Sequence, residues 1–138
     1  MPPQNPLTLE WIDQAEGDFA TARRELRVRI APNHDAVCFH AQQSAEKYMK
    51  ALLQEAVIPF GRTHNLVGLL ALLVPHMPAW EDLRRELQVL SAYAVMVRYP
   101  GGHSDKAMAR EAFRACSLVR DRARADLDLG KEPPSGRG

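Results

Sequence analysis

DAVCFHAQQSAEKYMKALLQEAVI, residues 35–58, carries the reading that decides the fold. Val37, Ala41, Ser44, Tyr48 and Ala51 recur at spacings of four and three, and Cys38, Ala45, Met49, Leu52 and Ala56 form a second apolar or small row beside them. Helical periodicity with so wide a stripe predicts a helix with neighbours on more than one side, central to a bundle or shared between a core and a subunit interface. Asn33 or Asp35 can start this helix, which runs toward Pro59. On its polar side Gln42, Glu46 and Lys50 lie at spacings of four, and Glu46 with Lys50 reads as an ordinary stabilising helix pair. His40, Gln43 and Lys47, at i, i+3 and i+7, are polar groups flanked by apolar surface. They could equally line a pocket or an interface.

Working outward toward the N-terminus, Met1–Pro6 holds three prolines and reads as a flexible leader. Thr8 can cap a first helix in which Trp11, Ala15, Phe19, Ala22, Leu26 and Ile30 form one stripe, until Ala31-Pro32-Asn33 breaks it. Toward the C-terminus, Thr63 can cap a short helix bearing Leu66, Leu69, Leu70 and Leu73, which Pro75 and Pro78 end. A fourth helix from near Ala79 places Leu83, Leu87, Leu90, Ala94 and Val97 on one face and stops at about Arg98, because Pro100 disfavours the α region for Tyr99. Ser104 can cap a fifth helix, with Ala109, Ala112, Phe113, Cys116, Val119, Ala123 and Leu127 inward. Lys131–Gly138, rich in Pro, Gly and Ser, reads as a disordered tail. The expected fold is all-α: four long helices in an up-down bundle with one short helix inserted, a single domain over residues 7–130.

Bulk properties narrow the function classes. A chain of 138 residues suits one domain with a sizeable core. A net charge of +1 excludes bulk electrostatic attraction as the basis of polyanion binding, so any nucleic-acid contact must rest on a local site. Cys38 and Cys116 sit in apolar helical patterns and read as core hydrophobes rather than a disulfide. His34, His40, His64 and His76 lack H-x-x-x-H or H-E-x-x-H spacing, so neither a metal nor another cofactor is expected. The longest apolar run, Leu66–Val74, falls short of the roughly 20 residues a bilayer needs. With no signal-peptide layout at the N-terminus, a cytoplasmic location is the expectation.

The candidate site is Ser91–Lys106, SAYAVMVRYPGGHSDK. Gly101-Gly102 lets the chain reverse, which would set Arg98 beside His103 between two helix ends. A guanidinium can hold phosphate charge, an imidazole can move a proton near neutral pH, and a helix N-terminus attracts anions. The same stretch also fits an exposed loop in which Arg98 satisfies the last carbonyls of its own helix.

Together these motifs resemble the HEPN (higher eukaryotes and prokaryotes nucleotide-binding) domain family over roughly residues 7–129. The resemblance is carried by Trp11, Ala15 and Asp18-Phe19, by Cys38 to Lys47 with Lys50 to Leu53 behind them, by Thr63-His64-Asn65-Leu66, and by Arg98-Tyr99-Pro100. It implies a compact helical bundle that forms a homodimer, often beside a minimal nucleotidyltransferase with which it assembles as a toxin–antitoxin pair. It also implies a metal-independent endoribonuclease motif, an Arg followed by four to six residues and a His, which Arg98 and His103 match. His103 would then move protons at the RNA 2′-hydroxyl and Arg98 would stabilise the growing charge, with Arg98, Tyr99, Ser104, Gln43 and Lys47 as candidate nucleotide or phosphate contacts. Tyr99-Pro100 stands where active members commonly carry a polar residue, and Asp105 where some toxins carry a modifiable Tyr. These departures give the alternative: a non-catalytic nucleotide-binding or scaffold subunit of a nucleotidyltransferase complex.

Overall fold

A computed structural model describes residues 1–130; the tail expected over Lys131–Gly138 lies outside them. Five α-helices follow in order, α1 (Pro6–Arg27), α2 (His34–Glu55), α3 (Leu66–Leu73), α4 (Arg84–Met96) and α5 (Lys106–Asp126), with a 3-10 turn over Pro78–Leu83 ahead of α4. Among the described residues there is no strand. No helix among them is long and apolar enough to cross a membrane.

The helix starts differ from the sequence expectation in a consistent way. Asn5, not Thr8, caps α1, accepting from the Leu7 N–H at 2.9 Å, with Pro6 in the first turn where its missing N–H costs nothing. Thr8 is buried one turn inside, its hydroxyl without a partner among the described residues. Asn33 caps α2 through the Ala36 N–H, and Asn65 rather than Thr63 caps α3 through Gly68. Asp105 rather than Ser104 caps α5, accepting from Met108 N–H at 2.8 Å. The α2 cap is one the sequence offered; at α1, α3 and α5 an Asn or Asp oxygen reaches the free N–H groups that the nearby hydroxyl does not.

The ends shift too. Helix α1 stops at Arg27, and Ile30, expected on its stripe, is 88% exposed, because Val28 is extended and Ala31 turns left-handed ahead of Pro32. Helix α2 ends at Glu55, short of Ile58, where left-handed Val57 lets the Ile58 N–H reach the Leu53 carbonyl and Ala56 stays exposed. The fourth helix opens as a 3-10 turn rather than at Ala79, since Trp80 is buried there with its indole N–H on Asp126 at 2.8 Å.

Helix α2 packs on α1, α3, α4 and α5, as its wide stripe requires. Val37, Cys38, Ala41, Ala45, Tyr48, Met49, Ala51, Leu52 and Leu53 are all buried. Fully burying a leucine is worth about 2 kcal/mol. Four buried leucines therefore hold α3, which at eight residues would not persist alone. Cys38 and Cys116 are free buried thiols, and burial pushes Cys116 up to about 12.

Side-chain pairs set the directions. Lys50 meets Trp11, Tyr48 meets Glu16 and His40 meets Asp18, so α1 and α2 are antiparallel. Trp80 meets Asp126 and Tyr93 meets Glu111, so the α4 segment and α5 are antiparallel. Phe113 stacks on Phe19 and Arg120 meets Glu16, which makes α5 antiparallel to α1 and parallel to α2. This up-down order brings the α1–α2 loop and the α4–α5 turn to the same end of the bundle.

Candidate functional site

At that end the chain after α4 closes a tight turn. The Gly102 N–H donates to the Tyr99 carbonyl at 3.0 Å, and Gly101 sits at φ +86°, a conformation that favours glycine. Gly102 is required for another reason: a Cβ there would run into the Met96 carbonyl oxygen. The turn leaves Arg98 and Tyr99 exposed, Tyr99 at 66%. Arg98 makes no side-chain hydrogen bond or ion pair among the described residues, so it does not satisfy the carbonyls of α4.

The descending limb of the turn is anchored by a residue that sequence reading did not single out for function. Asp35, in the first turn of α2, accepts from the Ser104 N–H at 2.8 Å and from the Ser104 hydroxyl at 2.6 Å. Its other oxygen lies 3.5 Å from His103 Nδ1. The two Ser104 bonds hold the Asp35 carboxyl below its usual range, with His103 adding to the effect against a small opposing cost of burial. The signal that could have found it is positional: an acid in the first turn of the central helix, at the bundle end that the turn must share.

His103 is 77% exposed. With Nδ1 turned to a carboxylate, Nε2 is left for an incoming group. A cleft of about 370 Å³ opens beside it, lined by Ala31 to Asp35 and by His103 and Ser104. Arg98 and Tyr99 are not part of that lining. An exposed, unpaired cation, an imidazole backed by an ionised carboxylate and an open cleft suit phosphate binding and proton transfer without a metal. Among the described residues no group of three His, Cys, Asp or Glu is placed to hold one.

Gln43 and Lys47 are elsewhere. Lys47 is twelve residues beyond Asp35 on α2, about 18 Å at the helical rise. Its ammonium binds Asp18 at 2.6 Å, Asp18 also holds His40 at 2.8 Å, and Gln43 donates to Gln42. Behind them the Glu46–Lys50 pair, 3.1 Å apart, is buried rather than a surface pair, the side chains 2% and 5% exposed. His64 closes on Glu46 at 3.0 Å, and the Trp11 ring lies 5.4 Å from the Lys50 ammonium. Thus Arg98, Tyr99, His103 and Ser104 share one turn, while Gln43 and Lys47 belong to a paired polar seam along α1 and α2.

Comparison with known proteins agrees with this architecture. A family model described as HEPN domain matches residues 8–126. The crystal structure of an archaeal HEPN homologue superposes with a TM-score of 0.65 at 25% identity, covering 87% of this chain and 97% of the homologue. A comparison with curated proteins returned no match.

Proposed function

Since the chain belongs to the HEPN domain family, we propose that the Arg98–His103 turn is a metal-independent endoribonuclease site, the working part of an RNase toxin paired with a minimal nucleotidyltransferase. One observation carries this reading: His103 is exposed beside a carboxylate held ionised by Ser104, on the same turn as an unengaged Arg98. His103 accepts the proton of the RNA 2′-hydroxyl as that oxygen attacks the adjacent phosphorus. Asp35 orients the ring and offsets its new positive charge. Arg98 and the N–H groups at the start of α5 take up the charge growing on the phosphoryl oxygens. A two-fold homodimer brings two such turns to one cleft, each chain supplying half.

A second reading rests on Tyr99. Its exposed ring next to Arg98 offers a stacking face for a base beside a cation for the phosphate, which suits a non-catalytic nucleotide-binding or scaffold subunit of a nucleotidyltransferase complex.

One experiment separates the two. Purified protein is incubated without added metal with single-stranded and structured RNA, beside Arg98→Ala and His103→Ala. The nuclease reading expects cleavage by the wild type and losses of about 10²–10³-fold in both variants. Equal cleavage by all three, or none by any, would sink it. The binding reading expects nucleotide affinity to fall chiefly in Arg98→Ala. Sedimentation at micromolar concentration tests the dimer, and a monomer there counts against a shared cleft.

A further inference from the structure

Cleavage by a 2′-hydroxyl needs two proton transfers: one away from the attacking oxygen and one onto the departing 5′-oxygen. In an in-line displacement these oxygens lie on opposite sides of phosphorus, so one imidazole cannot reach both at once. The cleft beside the turn carries a second imidazole. His34, the first residue of α2, is half-buried and lines the same cleft as His103 and Ser104. Among the described residues its ring makes no hydrogen bond or ion pair. The Asp35–Ser104 bonds tie the start of α2 to the turn and so hold both imidazoles at one cleft. Within one chain, no histidine besides His34 and His103 lines this cleft. His40, further along α2, is held on Asp18, and His64 is held on Glu46.

On the ribonuclease reading above, we infer that His34 is the general acid of the reaction, with His103 as the base. As the 2′-oxygen bonds to phosphorus, its proton passes to His103. The bond from phosphorus to the 5′-oxygen breaks, and that oxygen takes a proton from His34. The products are a 2′,3′-cyclic phosphate and a 5′-hydroxyl end. Exchange with water then removes the proton from His103 and returns one to His34, so no further reactant is consumed.

The test uses the full chain and two RNA oligonucleotides, one ordinary and one with the scissile 5′-oxygen replaced by sulfur, a leaving group that departs without protonation. Wild type, His34→Ala, His34→Gln and His103→Ala are compared on both. On ordinary RNA the His34 variants should lose about 10²–10⁴-fold. On the sulfur substrate they should come within about tenfold of wild type, since no general acid is then needed, whereas His103→Ala should stay low on both. Recovery on the sulfur substrate also establishes that the variants are folded, and His34→Gln preserves side-chain bulk at the start of α2. Wild-type cleavage of ordinary RNA by the His34 variants overturns the role of His34 alone. So does an equal loss on both substrates by a variant whose melting temperature is unchanged. A wild type that cuts neither substrate overturns the ribonuclease reading and this inference with it.

Discussion

The two polar regions of this bundle use similar residues to opposite ends. Along the α1–α2 seam every charge is matched: Glu46 with Lys50 and His64, Asp18 with Lys47 and His40, Glu16 with Arg120 and Tyr48. At the end shared by the α1–α2 loop and the α4–α5 turn, Asp35 is saturated by Ser104, while among the described residues Arg98 and His34 are unengaged and His103 has one long contact. Charges that have satisfied one another hold helices in register; charges left open at the end of a bundle are available to a ligand. That contrast sets Gln43 and Lys47, for all their suggestive spacing on α2, among the residues already bonded to protein partners.

The contrast breaks most visibly if activity and stability fail to separate. Arg98→Ala and His103→Ala should each cost about 10²–10³-fold in RNA cleavage, some 3–4 kcal/mol at the transition state, with little change in melting temperature. Glu46→Ala should do the reverse. It strands the buried Lys50 ammonium and should lower unfolding free energy by about 3–5 kcal/mol in urea titrations, with cleavage per folded molecule retained. If Glu46→Ala is stable but inactive, the seam is part of the site.

A smaller effect lies at the turn itself. Gly102→Ala forces the chain away from the Met96 carbonyl and should cost about 1–3 kcal/mol in stability while also displacing His103, so both readouts should fall together. The smallest is electrostatic. The lowered Asp35 pKa means its contribution to stability is fully present above the usual carboxylate value near 4 and is lost as pH falls through the lowered one. Asp35 is partly open to solvent, so the contribution should stay under about 1 kcal/mol. Melting curves of wild type and Asp35→Asn should therefore differ most above pH ~5 and converge toward strongly acidic pH. A difference that grows on acidification would contradict the sign.

The helical bundle was legible because hydrophobic periodicity is a property of each segment alone. The breadth of the α2 stripe even announced its central place, and Leu69, Leu70 and Leu73 marked a short helix that only burial could stabilise. The caps were misassigned because Thr8, Thr63 and Ser104 are plausible by type, whereas a neighbouring Asn or Asp has the geometry. Arg98 and His103 were visible through their spacing and the two glycines between them. Asp35 and His34 were not, because their role depends on α2 and α5 running parallel, and 69 positions separate Asp35 from Ser104 in the chain. Burial of Glu46 and Lys50 was hidden for the same reason: i, i+4 spacing is identical on a solvated face and in a core, and only Trp11, Phe60 and His64 distinguish them.

On the proposed ribonuclease reading, this turn cleaves RNA through the 2′-hydroxyl with no metal. That reading is tested most directly by identifying the ends of the fragments produced in excess chelator. The wild type should yield 2′,3′-cyclic phosphate and 5′-hydroxyl ends, absent with Arg98→Ala and with His103→Ala. Fragments bearing 3′-hydroxyl and 5′-phosphate ends, or cleavage that chelator abolishes, would contradict it.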